Sequence, residues 1–294
     1  MDPRSLNPVS ASADYRFLWR PWWLLSHVFV VTLIVVFVSL GFWQLRRLDD
    51  RRTYNALVES RTELPVSSVA ELAPGGPSTP ADGIDDVAFR FVTLTGTYLP
   101  DQEVLVRNRT LEGLPGFWMI TPLLLSDGTA VAVNRGWVPF AGTSPDAPWP
   151  EFAPPAGLVT VDGMVRESQA RSTGLVGGPV DAVEGRLSTL SRVDVPRLDQ
   201  QVSEALYPFY VDLRAQQPAQ AGDLPVPVPE PELGEGPHLN YAGQWFIFAA
   251  LTTVVYPLLL RRVARNRATE RTVGRGVGDD STTIELREPE GADR

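Results

Sequence analysis

The chain of 294 residues lacks cysteine and lysine and contains only two histidines, His27 and His238. Without cysteine it can form no disulfide, no thiolate nucleophile and no cysteine-ligated metal site. Both histidines lie in apolar stretches outside the central region of the chain. A Ser-His-Asp triad, or a histidine-ligated metal centre, built from the central region alone is therefore excluded.

Acidic residues outnumber basic ones, 35 to 26, all the basic residues are arginine, and the net charge is −9. The excess of acid lies mainly between residues 62 and 235. Such a region repels phosphate backbones, so we expect no nucleic-acid partner. Acidic charge favours solubility and basic partners without specifying one.

Two long stretches, residues 21–45 and residues 236–260, contain no charged residue. As helices with a rise of about 1.5 Å per residue, each would extend roughly 37 Å, enough to cross a bilayer core of about 30 Å. A signal peptide is the competing interpretation of the first stretch, but it would have a shorter apolar run and a small-residue cleavage site. The first stretch ends instead in aromatic residues and two arginines. We therefore predict two uncleaved transmembrane helices.

The distribution of arginine predicts the orientation of these helices. Four arginines closely follow the second stretch, namely Arg261, Arg262, Arg265 and Arg267, and none lies between Arg214 and that stretch. Arginine-rich flanks stay in the cytoplasm. The counts around the first stretch conflict, because arginines occur on both sides of it. Following the second stretch, we predict that both termini are cytoplasmic and that the two helices run antiparallel.

The orientation assigns the remaining segments. Residues 1–20 are predicted to form a cytoplasmic tail, and residues 261–294 a basic flank followed by a disordered tail from residue 268. Residues 46–235 are predicted to lie outside the cytoplasm, and residues 217–235, rich in proline and acid, to form an extended linker.

The extracytoplasmic region has the alternating pattern of β-strands. Strands are predicted at residues 89–95, 103–109, 116–125, 129–133, 159–166, 185–191 and 209–213. Residues 49–61 continue the first helix, residues 197–206 form a short helix, and Asp127-Gly128 is a hairpin turn. The predicted fold is an α+β membrane protein, in which two antiparallel transmembrane helices flank an extracytoplasmic β-rich domain with one or two short helices.

The start of the second apolar stretch carries polar groups that a membrane span does not need. His238, Tyr241 and Trp245 share one helical face, and Gln244 lies beside it. Each polar group is costly in lipid unless it has a partner. The pattern fits either a binding site or an interfacial aromatic belt, and the residues alone leave both open.

Antiparallel spans place the end of the first stretch at the same level. That end supplies Trp43, Gln44, Arg46 and Arg47. An imidazole, aromatic walls and two arginines suit a flat, apolar, anionic ligand. Haem is one such ligand, because histidine ligates iron and arginines pair with propionates.

A further block in the β-rich region is Asn134-Arg135-Gly136-Trp137. Glycine permits a positive φ and tryptophan offers a large apolar face. The block is either a strand-ending turn tied down by the arginine or a corner that binds a partner. From the residues alone we favour the structural interpretation.

Three blocks of this chain resemble those of the Surfeit locus protein 1 family, in the order the family has them. They are residues 41–47 (GFWQLRR), residues 134–139 (NRGWVP) and residues 238–246 (HLNYAGQWF). The resemblance covers roughly residues 22–262. It implies a two-span protein of the bacterial plasma membrane that acts in biogenesis of haem-copper cytochrome c oxidase, chiefly in haem a delivery. His238 occupies the position of the family's candidate haem ligand.

These observations lead to two hypotheses. In the first, the chain is an assembly or stabilising factor that assists haem a insertion into the catalytic oxidase subunit and binds haem a transiently. His238 would be the iron ligand, with Tyr241, Trp245, Arg46 and Arg47 around it. In the second, it is a permanent structural subunit of the oxidase, or of a cytochrome bc–oxidase supercomplex, without haem chemistry. Neither of these hypotheses makes it an enzyme. A third, an outward-facing hydrolase, would have to use carboxylates alone, because the β-rich region lacks histidine and cysteine.

Overall fold

The computed structural model describes residues 15–79, 84, 86–169 and 179–278, and it divides the chain into two compact units. The first unit comprises Met1–Thr53 and Gly234–Arg294, and the second Tyr54–Leu233. This division follows the sequence prediction in outline, because the apolar helices and the β-rich region fall in different units.

Two long helices build the first unit. Helix α1 covers Pro21–Thr62, and helix α4 covers His238–Gly278. Proline suits the first turn of a helix, where its missing N–H has no intrahelical partner to lose. Both helices are long and apolar enough to span a membrane. The predicted helical continuation over residues 49–61 is confirmed, because α1 runs unbroken to Thr62.

The two helices pack in the antiparallel orientation that the sequence predicted. The ring of Phe37 stacks on Trp245 with centroids 5.7 Å apart. Towards the other end of α1, the guanidinium of Arg267 lies 4.6 Å over the ring of Phe17, which belongs to a short 3-10 helix, Arg16–Trp19. At Gly41 the helices approach so closely that a Cβ would lie 2.7 Å from the ring of Phe246.

The tail prediction needs a correction. Residues 268–278 continue α4, although the sequence predicted disorder from residue 268 onwards. Adding a residue to an existing helix needs no new nucleus, and alanine, glutamate and arginine in this segment propagate a helix well. The rest of the predicted tail, residues 279–294, lies outside the described residues.

The second unit is built around a seven-stranded sheet. Its strands are β1 Phe91–Tyr98, β2 Val104–Leu111, β3 Leu114–Leu125, β4 Ala130–Pro139, β5 Leu158–Glu167, β6 Thr189–Leu190 and β7 Leu206–Gln217. The order is β1-β5-β7-β4-β3-β2-β6, and a further pairing of β1 with β3 closes five of the strands into a barrel. β4 with β7 and β2 with β6 are parallel, and the other pairs are antiparallel. Each predicted strand overlaps an observed one, and the Asp127-Gly128 turn joins β3 to β4 as predicted.

Alternating side chains fill the barrel. In β1 the side chains of Val92 and Leu94 point inward, and they pack with Val133 and Val211 of the facing strands. β4 is buried on both sides, because Ala132 packs in a second apolar cluster outside the barrel. This double burial explains why β4 reads as a continuous apolar run.

Two short helices lie on the barrel, and one differs from the prediction. Helix α2 covers Val69–Leu72, and helix α3 covers Val195–Asp199. The predicted helix at residues 197–206 therefore starts earlier and ends much earlier. The Asp194 side chain caps α3 by accepting a hydrogen bond from the Arg197 N–H, which fixes the start of the helix.

The proline-rich segment after β7 is extended, as predicted, but it is not a free linker. We call residues 218–233 the strap. Val226 of the strap exchanges two backbone hydrogen bonds with Trp137 of β4, and Leu224 packs against an apolar cluster of the barrel. The strap is therefore part of the second unit.

Candidate functional site

The predicted site residue His238 meets α1 through a hydrogen bond. Its Nδ1 lies 2.9 Å from Oε1 of Gln44. The carbonyl oxygen of Gln44 accepts, so Nδ1 carries the proton and Nε2 keeps its lone pair. A partner on one ring nitrogen fixes the ring and leaves the other nitrogen as the metal-ligating atom. His238 is half-buried, so this nitrogen is not sealed inside the helix pair.

The aromatic residues near His238 differ in their environments. Trp245 is half-buried, and its ring stacks on Phe37, so one of its faces is already covered. Tyr241 is 45% exposed. Tyr241 thus has more aromatic surface open to a ligand, whereas stacking on Phe37 fixes the position of the Trp245 ring.

Trp43 and Arg47 form a second exposed group on α1. The guanidinium of Arg47 lies 5.9 Å from the Trp43 ring centroid, and Nη1 lies 3.8 Å from Oδ2 of Asp50. Because both charged side chains are more than half exposed, this ion pair contributes little free energy. Arg47 can therefore exchange Asp50 for an anionic ligand at small cost.

Helical periodicity decides which predicted residues share a side of the helix pair. Successive residues turn by about 100°. Arg47 comes three residues after Gln44 and Tyr241 three residues after His238, so each lies about 60° around its helix axis from the contact between Gln44 and His238. Because the helices are antiparallel, both residues lie on the same side of the helix pair. Trp43 and Trp245 fall on that side as well. Periodicity thus places six predicted residues on one side of the helix pair, and the structure shows Gln44 in contact with His238 and Arg47 beside Trp43.

Two predicted residues lie elsewhere. Arg46 is about 200° round α1 from Gln44 and is exposed, and Gln244 is exposed on α4. The glutamine that contacts the histidine is Gln44 and not Gln244. Of the two predicted arginines, only Arg47 is therefore placed to pair with an anionic group beside His238.

The set fits haem as a single-ligand site. His238 would supply the ligating nitrogen, Tyr241 and Trp43 exposed aromatic surface, and Arg47 the propionate partner. When bound, haem supplies an iron that takes an imidazole nitrogen as ligand. Among residues 15–79, 84, 86–169 and 179–278, no three histidine, aspartate or glutamate side chains are grouped to hold a metal ion.

Sequence reasoning missed a second polar contact between the helices. The Tyr256 hydroxyl lies 2.5 Å from both Ser26 Oγ and His27 Nδ1. These three side chains satisfy one another inside otherwise apolar stretches. The signal was available, because Ser26-His27 interrupts the first apolar run and Tyr256 the second.

The Asn134–Trp137 block is a structural element of the second unit. The Arg135 side chain is 1% exposed, and its Nη2 donates to Phe152 O at 2.6 Å and to Gln220 Oε1 at 2.8 Å. Gln220 belongs to the strap, so Arg135 ties the strap to the barrel. A fully buried guanidinium cannot touch a partner, which supports the structural interpretation.

Arg135 also pairs with a carboxylate that the sequence did not single out. Its Nη1 lies 3.4 Å from Oε2 of Glu103, which is 3% exposed and accepts a hydrogen bond from Thr121 Oγ1 at 3.0 Å. Burial raises the pKa of Glu103 to about 7, although Arg135 and Thr121 act in the opposite direction. Nothing in the sequence around Glu103, just before β2, marks it as special, since its burial depends on the tertiary structure.

The other three residues of the block, Asn134, Gly136 and Trp137, also contact neighbouring segments of the second unit. Asn134 Nδ2 donates to Asp212 Oδ1 at 2.8 Å, and burial raises the pKa of that aspartate. Gly136 has φ +133°, and a Cβ there would lie 2.2 Å from the carbonyl oxygen of Val226 in the strap. Trp137 Nε1 donates to Arg109 O at 3.3 Å. Glycine is therefore required where the strap crosses β4.

Comparison with known proteins places the chain in a family. The SURF1 (Surfeit locus protein 1) family model matches residues 31–250. An uncharacterised SURF1-like protein of Mycobacterium bovis is 29% identical over 270 residues, covering 92% of this chain and 94% of that protein. A SURF1-like protein of Monosiga brevicollis is 27% identical over 258 residues, covering 84% and 90%. A SURF1-like protein of Dictyostelium discoideum is 32% identical over 104 residues, covering 35% and 38%.

The matched region contains both residues of the Gln44–His238 contact, and it contains the whole barrel. The relatives from Mycobacterium and Monosiga are matched over most of their length, so the likeness is not confined to one unit. The chain belongs to the SURF1 family, which is known generally as a family of cytochrome oxidase assembly factors.

Proposed function

We propose that this protein assists the insertion of haem a into the catalytic subunit of a haem-copper cytochrome c oxidase. The observation that carries the proposal is the hydrogen bond from His238 Nδ1 to Gln44 Oε1, which leaves Nε2 as the ligating nitrogen. Family membership supports a role in oxidase assembly, and the position of Arg47 and Tyr241 on the same side of the helix pair, next to the Gln44–His238 contact, supports haem as the ligand.

The proposed site suits transient binding. One imidazole would supply a single protein ligand, and the side chains around it are half-buried or exposed, so a ligand can enter and leave. The tautomer held by Gln44 removes one cost of ligation, because the ring need not reorient or exchange its proton.

The arginines beyond the second span support the proposed location. Arg261, Arg262 and Arg265 favour a cytoplasmic C-terminal flank, which puts both termini in the cytoplasm and the β-rich unit outside the bacterial plasma membrane. Protease protection in spheroplasts tests this, because the second unit should be cleaved from outside and a C-terminal tag protected.

Haem binding is tested on the full chain purified from its native membrane in mild detergent. We expect haem to co-purify with the wild type and to be lost in His238→Ala. His27→Ala is the matched control, because His27 is the only other histidine and lies in the same helix pair. Equal haem content in the wild type and in His238→Ala would refute the ligand role.

Gln44 offers a sharper test of the mechanism. Gln44→Leu keeps the side-chain size but removes the acceptor that orients the His238 ring. Losing the hydrogen-bond partner that orients a metal-ligating histidine typically weakens metal binding about 10–100-fold. Gln244→Leu is the control, since Gln244 is exposed away from His238.

A second candidate function rests on the same hydrogen bond. If Gln44 and His238 serve only to join the helices, no haem ligand is left, and we propose instead a permanent structural subunit of the oxidase or of a cytochrome bc–oxidase supercomplex. Subunit stoichiometry separates the two roles. A fixed ratio to the oxidase in purified mature complexes, without haem on the isolated chain, favours the structural subunit; association only with immature oxidase favours assembly.

A further inference from the structure

A groove on α4 is lined by a stripe of arginines near the C-terminal end of the apolar stretch. Its lining residues are Leu258, Arg261, Arg262, Arg265 and Asn266. They recur at positions i, i+3, i+4, i+7 and i+8, so they form one face of the helix. The groove has a volume of about 340 Å³ and is open to the surroundings of the helix.

The charge of this groove is not neutralised within the structure. Arg261, Arg262 and Arg265 are exposed, and none forms an ion pair with any residue that the structure describes. The sequence of α4 contains no acidic residue before Glu270. Three guanidinium groups on one helical face therefore offer up to fifteen N–H donors to an external anion.

The position of the groove points to the kind of anion. Leu258 is 54% exposed and lies at the end of the apolar stretch, so the groove passes from an apolar wall to a cationic one. At the same end of the helix pair, Trp19 and Trp22 are 81% and 82% exposed. Exposed tryptophans are typical of the level of lipid headgroups.

We propose that this groove binds the headgroup phosphate of an anionic phospholipid. Arginine pairs with phosphate through parallel hydrogen bonds, and Leu258 would contact the start of the acyl chains. This goes beyond the role in oxidase assembly and does not depend on it. The bound lipid would fix the depth of α4 in the bilayer from the end opposite to His238.

A neighbouring arginine provides a matched control. Arg267 is two residues from Arg265, but its guanidinium lies 4.6 Å over the Phe17 ring and does not line the groove. Arg265→Gln and Arg267→Gln remove the same charge from nearly the same depth. General electrostatic attraction to a membrane would be weakened equally by both, whereas a bound headgroup would respond mainly to Arg265.

The experiment titrates the full chain in a neutral detergent with phosphatidylglycerol, phosphatidylcholine or inorganic phosphate, and measures bound ligand by native mass spectrometry. We expect phosphatidylglycerol to bind more tightly than the other two. Arg265→Gln should weaken its binding about fivefold, the usual effect of one arginine near an anionic surface. Arg267→Gln should change it less than twofold.

Three outcomes would overturn the proposal. Equal weakening by the two substitutions would indicate general attraction and no groove site. Equal binding of phosphatidylcholine would show that the anionic headgroup is not recognised. Binding of inorganic phosphate as tight as that of phosphatidylglycerol would identify a site for free phosphate. Circular dichroism of each variant checks that the helices are intact.

Discussion

The buried carboxylate of Glu103 should make the stability of the second unit depend on pH. Burial raises its pKa from 4.5 to about 7, against the opposing effects of Arg135 and Thr121. Between these values the folded state holds a proton that the unfolded chain has released. The free energy of unfolding must therefore fall as the pH rises from about 4.5 to about 7.

The size of the effect follows from the shift. One pKa unit corresponds to about 1.4 kcal/mol, so Glu103 accounts for about 3 kcal/mol of stability that is present at acidic pH and lost by pH 8. The side chain is 3% exposed, so screening by solvent reduces this little. Asp212 also has a raised pKa and adds a slope of the same sign.

Glu103→Gln isolates the contribution of Glu103. The amide keeps an oxygen acceptor for Thr121 and Arg135 but does not titrate. Urea unfolding of the full chain in mild detergent, followed by near-ultraviolet circular dichroism at pH 5 to 8, measures both proteins. The wild type should lose about 2–3 kcal/mol more than Glu103→Gln over this range, because part of the full effect falls below pH 5. Because Asp212 is present in both, its slope cancels in the difference.

The exposed Glu151 provides the control, and Glu151→Gln should keep the wild-type pH profile. Parallel pH profiles for the wild type and Glu103→Gln would refute the reasoning. They would mean that the Arg135 guanidinium keeps Glu103 ionised throughout, so that the ion pair outweighs burial.

Three further substitutions test the packing, each by the same unfolding measurement unless stated. Arg135→Leu leaves a carboxylate buried without its cation and should cost about 3–5 kcal/mol, more at pH 8 than at pH 5. Gly136→Ala places a Cβ 2.2 Å from a strap carbonyl at φ +133° and should cost about 2 kcal/mol or more. Gly41→Leu inserts a side chain where a Cβ would already lie 2.7 Å from a phenylalanine ring of α4. It should slow disulfide formation between cysteines introduced at positions 26 and 256, whose native side chains touch.

Each of these substitutions has a control at a position that is exposed or has no close neighbours. Arg186→Leu removes an exposed arginine from the same unit. Gly222→Ala and Gly243→Leu add side chains where nothing lies within 4 Å of the Cβ position. A control as damaging as its test variant would show that the loss does not come from the contact named.

The sequence was sufficient to predict the elements of this fold because their signals are local. A charge-free run of apolar residues predicts a spanning helix whatever surrounds it, and apolar alternation, or a short apolar run next to turn residues, predicted the strands of the barrel. The antiparallel helix pair also followed, because two spans whose connecting domain lies on one side of a membrane leave no other orientation. The α3 boundary was wrong because Asp194 caps the helix before the segment that helical propensity favoured.

The site was predicted only in part, for a geometric reason. Spacing along one helix placed His238, Tyr241 and Trp245 on a shared face, but it could not say which face of α1 they would meet. That depends on the rotation of each helix about its axis, which the contacts at Phe37 and Gly41 set. The same rotation of α1 places Arg46 on the side of the helix away from His238.

What the sequence by itself determined is the family, the two apolar helices, the β-rich character of the unit between them and the exclusion of cysteine and histidine chemistry in that unit. Only the tertiary structure decided that Gln44 orients His238, that Arg135 and Glu103 form a buried pair, and that the strap closes over β4. These three contacts join residues far apart in the chain. These contacts depend on how the elements pack, and no local pattern of side chains predicts that packing.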